Sequence, residues 1–151
     1  MVGFKRGAQA GFTLIELVVV IVILGILAAT ALPKFADMGA DARRAKLNAA
    51  RGAILTASNV AHSAWLVNGT SPATVTMEGT SVAMAFGYPD SIGIKAAAGG
   101  LADYDAPAVA ATAVFNVATD TGHATCTFTY TPATSLTVPP VVGALPALSA
   151  C

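Results

Sequence analysis

One carboxylate stands alone in the most apolar stretch of this sequence. In FTLIELVVVIVILGILAATAL, from Phe12 to Leu32, Glu16 is the single charged residue. As a helix the run would be about 31 Å long, enough to cross the hydrocarbon of a bilayer. A charge at the centre of such a segment costs on the order of 2.5–3.5 kcal/mol, and less near an interface. Glu16 therefore needs a compensating partner, and ion pairing is the chemistry open to it.

Elsewhere the reactive residue types are sparse. The two histidines are His62, in a helical stretch, and His123, on the polar face of a strand. Both read as structural or surface residues. No combination of serine, histidine and acid is identifiable, no glycine loop for phosphate precedes a helix, and no zinc-ligand spacing is present. The expectation is a protein that is not an enzyme and carries no cofactor. Asp103 and Asp105, two apart and near Asp90 in sequence, are weak candidates for calcium, since oxygen-rich loops hold that ion. A solvated acidic loop is the plainer reading.

The elements that position Glu16 begin upstream. Residues 1–11 are short and polar and carry Lys5 and Arg6, so by the positive-inside tendency this leader stays cytoplasmic and everything after Leu32 is exported. A conventional secretory signal, cleaved near Thr30-Ala31, is an alternative, as is a plain single-span anchor. The run is longer than a usual signal core and contains Glu16, which disfavours the first. In an exported chain the two cysteines, Cys126 and Cys151, read as one disulfide, with two free thiols as the alternative. A bridge would close a loop of about 26 residues, worth roughly 3–4 kcal/mol in the chain-entropy model.

Gly11 followed by Phe12-Thr13-Leu14-Ile15-Glu16 resembles the type IV prepilin motif. The resemblance implies cleavage between Gly11 and Phe12 by a prepilin peptidase, N-methylation of Phe12, and retention of the apolar segment. Cleavage would create an ammonium at Phe12, four residues from Glu16. The two could pair within one helix or between neighbours, and the family favours the second, as a register device for assembly.

The chain has 151 residues, enough for one compact domain beyond the membrane segment. Only 11% of them are charged, and outside the apolar run alanine, threonine, glycine and serine dominate, a surface suited to packing against copies of itself. Charge is uneven. Lys34, Arg43, Arg44, Lys46 and Arg51 outnumber Asp37 and Asp41, whereas from Gly69 onward Glu78, Asp90, Asp103, Asp105 and Asp120 face only Lys95. A basic neck of one subunit could thus meet an acidic head of another, which fixes register more than it adds affinity. Solvated charges without partners are the alternative. The acidic head argues against direct nucleic-acid binding.

Gly25 and Pro33 both weaken a helix, so a kink or melted segment is expected between them. In the pilin resemblance this is where subunits lose helicity on assembly. From Lys34 the helix resumes, and Leu47, Ala50, Ile54, Ala57, Ala61 and Trp65 recur at three and four, the face that should cover a sheet. Asp41 and Arg44 are spaced to pair. Asn68-Gly69 is a stop signal, and Asn68-Gly69-Thr70 also fits the N-glycosylation pattern, weakly. A continuous helix from Phe12 to Val67 would approach 84 Å, unsuited to a monomeric globule.

The remainder reads as strands. Ser81 to Phe86 places Val82, Met84 and Phe86 on one face, and Phe86-Gly87-Tyr88-Pro89 turns the chain. Ala113 to Ala118, with Val114, Phe115 and Val117, reads as a buried short strand. His123 to Tyr130 alternates, with Ala124, Cys126, Phe128 and Tyr130 facing inward, and Asp120-Thr121-Gly122 makes the two a hairpin. Residues 131–151 read as an extended loop.

This layout resembles a type IV pilin over the whole chain: an α+β fold with a long N-terminal helical spine packed on a small antiparallel sheet. The expected divisions are a leader (1–11), an apolar transmembrane and filament-core helix (12–33), its amphipathic continuation (34–68), and a β-sheet head with a disulfide-closed loop (69–151). Ala31-Leu32-Pro33-Lys34-Phe35 and Phe86-Gly87-Tyr88-Pro89 further look like the mannose-sensitive haemagglutinin branch. The resemblance implies a major pilin, a homopolymer made by the pilus assembly machinery. It would reside in the inner membrane as a prepilin and then in an extracellular, adhesive filament. Phe12, Glu16, Gly25 and Pro33 would act in assembly. The alternative is a pseudopilin of a type II secretion or DNA-uptake machine, told apart by abundance at the surface. A membrane-anchored exported enzyme is a third reading, and it lacks a site.

Overall fold

A computed structural model describes residues 11–99, 101–107 and 110–151, side chains of residues 36 and 37 aside. The expected leader lies outside the described residues apart from Gly11. The chain forms an α+β protein of two compact units, Met1–Met38 and Gly39–Cys151. Helix α1 (Leu14–Asn68) contributes to both.

Within the first unit α1 is apolar on every side. Leu14, Ile21, Leu24 and Leu27 are all more than half exposed, because among the described residues no other element of that unit covers them. Of the kink or melted segment expected between Gly25 and Pro33, the melted segment is absent, since both residues lie within α1. Proline keeps a helical φ, although it removes the hydrogen bond to residue i−4 and its ring crowds that carbonyl. Neighbouring turns carry the helix past it.

Within the second unit the same helix becomes one-sided. Leu47, Ala50, Ile54, Ala57 and Ala61 are buried, as the three-four spacing predicts, and Trp65 is half-buried. Asn68 ends the helix and Gly69 follows at φ +66°, a conformation that favours glycine. Strands β1 (Thr74–Met77), β2 (Thr80–Ala85) and β3 (Tyr88–Pro89) form one antiparallel sheet in that order. Both of its turns have two residues, Glu78-Gly79 and Phe86-Gly87, each with positive φ throughout, the hairpin geometry that matches strand twist. Phe86 therefore sits in a turn and is exposed, where the alternation predicts a third inward residue after Val82 and Met84. Left-handed turn geometry overrides the strand period there.

Helix α2 (Ser91–Ala97) has no counterpart in the sequence reading. Asp90 caps it, its carboxylate accepting from the N–H groups of Ile92 at 2.9 Å and Gly93 at 2.6 Å. A second antiparallel sheet follows, β4 (Phe115–Ala118), β5 (Thr127–Thr131) and β6 (Val141–Val142). The expected β4–β5 hairpin is present, with Phe115 opposite Tyr130 and Val117 opposite Phe128. Its strands are shorter than alternation suggests. Residues 119–126 form the connection, which leaves Ala124 exposed, and Val114 is exposed ahead of β4. The tail expected as loop contains β6 and a 3-10 turn at Leu148–Ala150.

The main core joins Leu47 and Ile54 of α1 to Ile94, Phe115, Val117, Phe128 and Tyr130. Each such side chain contributes about 1.5–3 kcal/mol by leaving water. A smaller cluster sets Ala61 against Val75, Val82 and Met84, with Trp65 beside it.

Candidate assembly site

Thr13 and Glu16 begin α1 as a reciprocal cap. The Thr13 N–H donates to Glu16 Oε2 at 2.8 Å, the Thr13 hydroxyl donates to the same oxygen at 2.7 Å, and the Glu16 N–H donates to Thr13 Oγ1 at 3.3 Å. This is the Thr-x-x-Glu capping box, present in the sequence but not drawn from it. Leu17 N–H to Thr13 O, at 3.3 Å, is the first helical bond. Phe12 is 91% exposed ahead of the cap, and together with Ile15, Glu16, Val19 and Val20 it lines an open cavity of about 410 Å³ in which the carboxylate is the one charged group.

The other residues expected in assembly lie along the same helix. A Cβ added at Gly25 would meet nothing within 4 Å, so packing inside this chain does not require glycine there. Pro33 lies inside the helix, and the Thr30 hydroxyl, one turn earlier, donates to Leu27 O at 2.9 Å. An 18-residue window of α1 reaches a mean hydropathy of 2.8 with none of it buried, so the helix is long and apolar enough to cross a membrane.

At the other end of the chain Cys126 and Cys151 form the disulfide, their Cα atoms 4.5 Å apart. Around it the cations of α1 do something the charge count did not suggest. Arg43 donates to Cys151 O, Arg44 to Pro146 O at 3.2 Å, and Arg51 to Gly143 O at 2.8 Å. The C-terminal segment thus runs antiparallel to α1 with its carbonyls clasped by guanidinium groups. Lys46 donates to Asp103 O at 2.6 Å and Thr119 O at 3.0 Å, with its ammonium 4.6 Å from the centre of the Tyr104 ring. The Asp41–Arg44 pair expected from spacing is not formed, because Arg44 turns to the Pro146 carbonyl. Among the described residues the one contact between a basic and an acidic side chain is a hydrogen bond of His123 Nδ1 with Asp120 Oδ1, at 2.8 Å. That histidine's hydrogen bond, with the Gly122 N–H, holds the Asp120 carboxyl below its ordinary range. Net charge on α1 hides this clasp, since carbonyl acceptors carry no letter in a sequence.

The remaining candidates lie elsewhere in the second unit. His62 Nδ1 lies 2.7 Å from Gly87 O, and its ring stacks on Tyr88 at 4.0 Å. Among the described residues no three His, Cys, Asp or Glu side chains are grouped to hold a metal. Asp103 is exposed, and the Asp105 backbone is bridged to Ala118. Asn68 is exposed with its amide donating to Ala64 O at 3.1 Å. The Tyr130 hydroxyl is buried and donates to Pro89 O at 2.7 Å, and burial pushes its pKa up to about 12.

Residues 6–32 match the family model described as the prokaryotic N-terminal methylation motif. The chain is also similar to the type IV narrow pilus major component PilA5 of Thermus thermophilus, 49% identical over 51 residues, which is 34% of this chain and 44% of the relative. The chain thus spans less than half the length of that relative. No solved structure matches it.

Proposed function

We propose that the chain is a type IV pilin, the major, polymerising subunit of a surface filament used for attachment, a reading supported by the methylation motif at residues 6–32 and the likeness to a pilus component. The observation that carries this reading is a helix end with apolar side chains exposed on every face and one carboxylate at its start. Lipid covers such a surface before assembly, and copies of the same helix cover it afterwards. In this reading the peptidase cuts between Gly11 and Phe12, Phe12 is methylated, and the Phe12 ammonium of one subunit pairs with Glu16 of another. A buried carboxylate then gains the partner it needs. Gly25 and Pro33 lower the cost of unwinding the helix when subunits pack. Short segments around Pro33 and Phe86 like those of haemagglutinating pilins support the adhesive role. Residues 12–33, 34–68 and 69–151 serve as filament core, continuation and displayed head.

The test is to shear cells and determine the N-terminus and intact mass of the dominant filament protein. Methylated Phe12 and a mass two hydrogens below the reduced chain are expected. A protein beginning at Met1, or cut after Ala31, would overturn the reading. Recovery only in trace amounts beside another filament protein would point to a pseudopilin instead.

A further inference from the structure

Glu16 is already held before a second copy arrives. Both bonds from Thr13 end on Oε2, and among the described residues no hydrogen bond reaches Oε1. From Phe12 to Leu32 the only other side chain able to donate is Thr30, which is bonded to the Leu27 carbonyl. A long carboxylate side chain free to rotate loses rotamer entropy when it is captured, and one fixed beforehand does not.

We propose that Thr13 is a positioning residue for assembly: it locks the Glu16 carboxylate through Oε2 and leaves Oε1 to accept the Phe12 ammonium of a second copy. This rests on the pilin reading above. The same cap lowers the cost of keeping an unpaired carboxylate in a membrane segment, because two of its hydrogen-bonding needs are met within the chain. Thr13 then matters at two stages, storage in the bilayer and capture into the filament, through one geometry.

The experiment expresses full-length Thr13→Val, Thr13→Ser and Glu16→Ala beside the parent, and measures Gly11–Phe12 cleavage, Phe12 methylation, membrane level and sheared filament yield. Valine keeps the shape of threonine and removes the hydroxyl, whereas serine keeps the hydroxyl. Thr13→Val should be cleaved, methylated and retained in the membrane like the parent, yet yield about fivefold less filament or lower still, the factor for losing one cap interaction. Thr13→Ser should return the yield to within about twofold of the parent. Normal yield from Thr13→Val would overturn the proposal, as would equal failure of Thr13→Ser. Loss of cleavage in Thr13→Val would overturn it too, by assigning Thr13 to the peptidase. If Glu16→Ala fails to assemble while Thr13→Val assembles normally, only the role of Thr13 falls. Normal filaments from Glu16→Ala would remove the ion pair, and this proposal with it.

Discussion

Leu24 and Leu47 lie on the same helix, the first 57% exposed and the second fully buried. Around Leu24 the neighbours at every angle are apolar, Val20, Ile21, Ile23, Gly25, Leu27 and Ala28, so no stripe distinguishes an inner face from an outer one. Around Leu47 the buried apolar residues recur at three and four, and the outward positions include Asp41, Arg44, Asn48, Gly52 and Thr56. The first pattern is satisfied only by a surrounding apolar medium or by copies of itself, and the second by one sheet on one side. One helix therefore carries two kinds of burial, one completed within the chain and one left for lipid or other chains.

The strongest way to break this comparison is to make the same change in both halves. Leu47→Ala should destabilise the second unit by about 2–5 kcal/mol, a fall in melting temperature of roughly 10 °C or more, followed by circular dichroism of the full chain in detergent. Leu24→Ala should leave that melting curve unchanged. An equal shift from both would mean that the two halves are not separate in their packing.

A smaller effect sharpens how closely the second unit is fitted. A Cβ on Gly93 would lie 2.0 Å from Ala83 O, so α2 rests on β2 with no room for a methyl group. Gly93→Ala should cost about 1–3 kcal/mol, measured by urea unfolding, because backbone rather than a flexible side chain must move.

The smallest expected effect concerns Tyr130 and depends on pH. Its folded pKa is raised to about 12, while an unfolded tyrosine titrates near 10. The folded state keeps the proton where the unfolded state releases it. The contribution is therefore fully present below pH about 10 and is lost as pH rises toward about 12. Tyr130→Phe should cost about 1–2 kcal/mol at neutral pH, by stranding the buried Pro89 carbonyl, and should flatten the alkaline fall in stability. Paired unfolding curves at neutral pH and near pH 11 check both effects.

What the residue letters disclosed follows the same division. Periodicity revealed the buried face of α1, and alternation revealed the Phe128 and Tyr130 positions of β5, because both depend on side-chain type repeating at a fixed interval. The disulfide followed from the cysteine count and the expectation of export. Strand ends were misplaced at Phe86 and Ala124, where turn geometry decides and the alternation continues past it. Helix α2 was hidden because it has seven residues and contains Gly93, although Asp90 marks its start as a cap. At the candidate assembly site Glu16 stood out by its charge. Its bonds to Thr13 follow a spacing rule that a membrane reading of the same residues obscures.

The clasp formed by Arg43, Arg44 and Arg51 bears on how freely this protein can vary. These side chains hold Cys151, Pro146 and Gly143 by their carbonyl oxygens, a group that every residue supplies. Attachment of the segment is thereby separated from the identity of its outward side chains, such as Ala144, Ala147 and Ser149. Gly143 is the exception, since a Cβ there would lie 2.7 Å from Thr129 Oγ1. Those outward positions can vary in sequence, or accept grafted peptides, while the backbone stays in place.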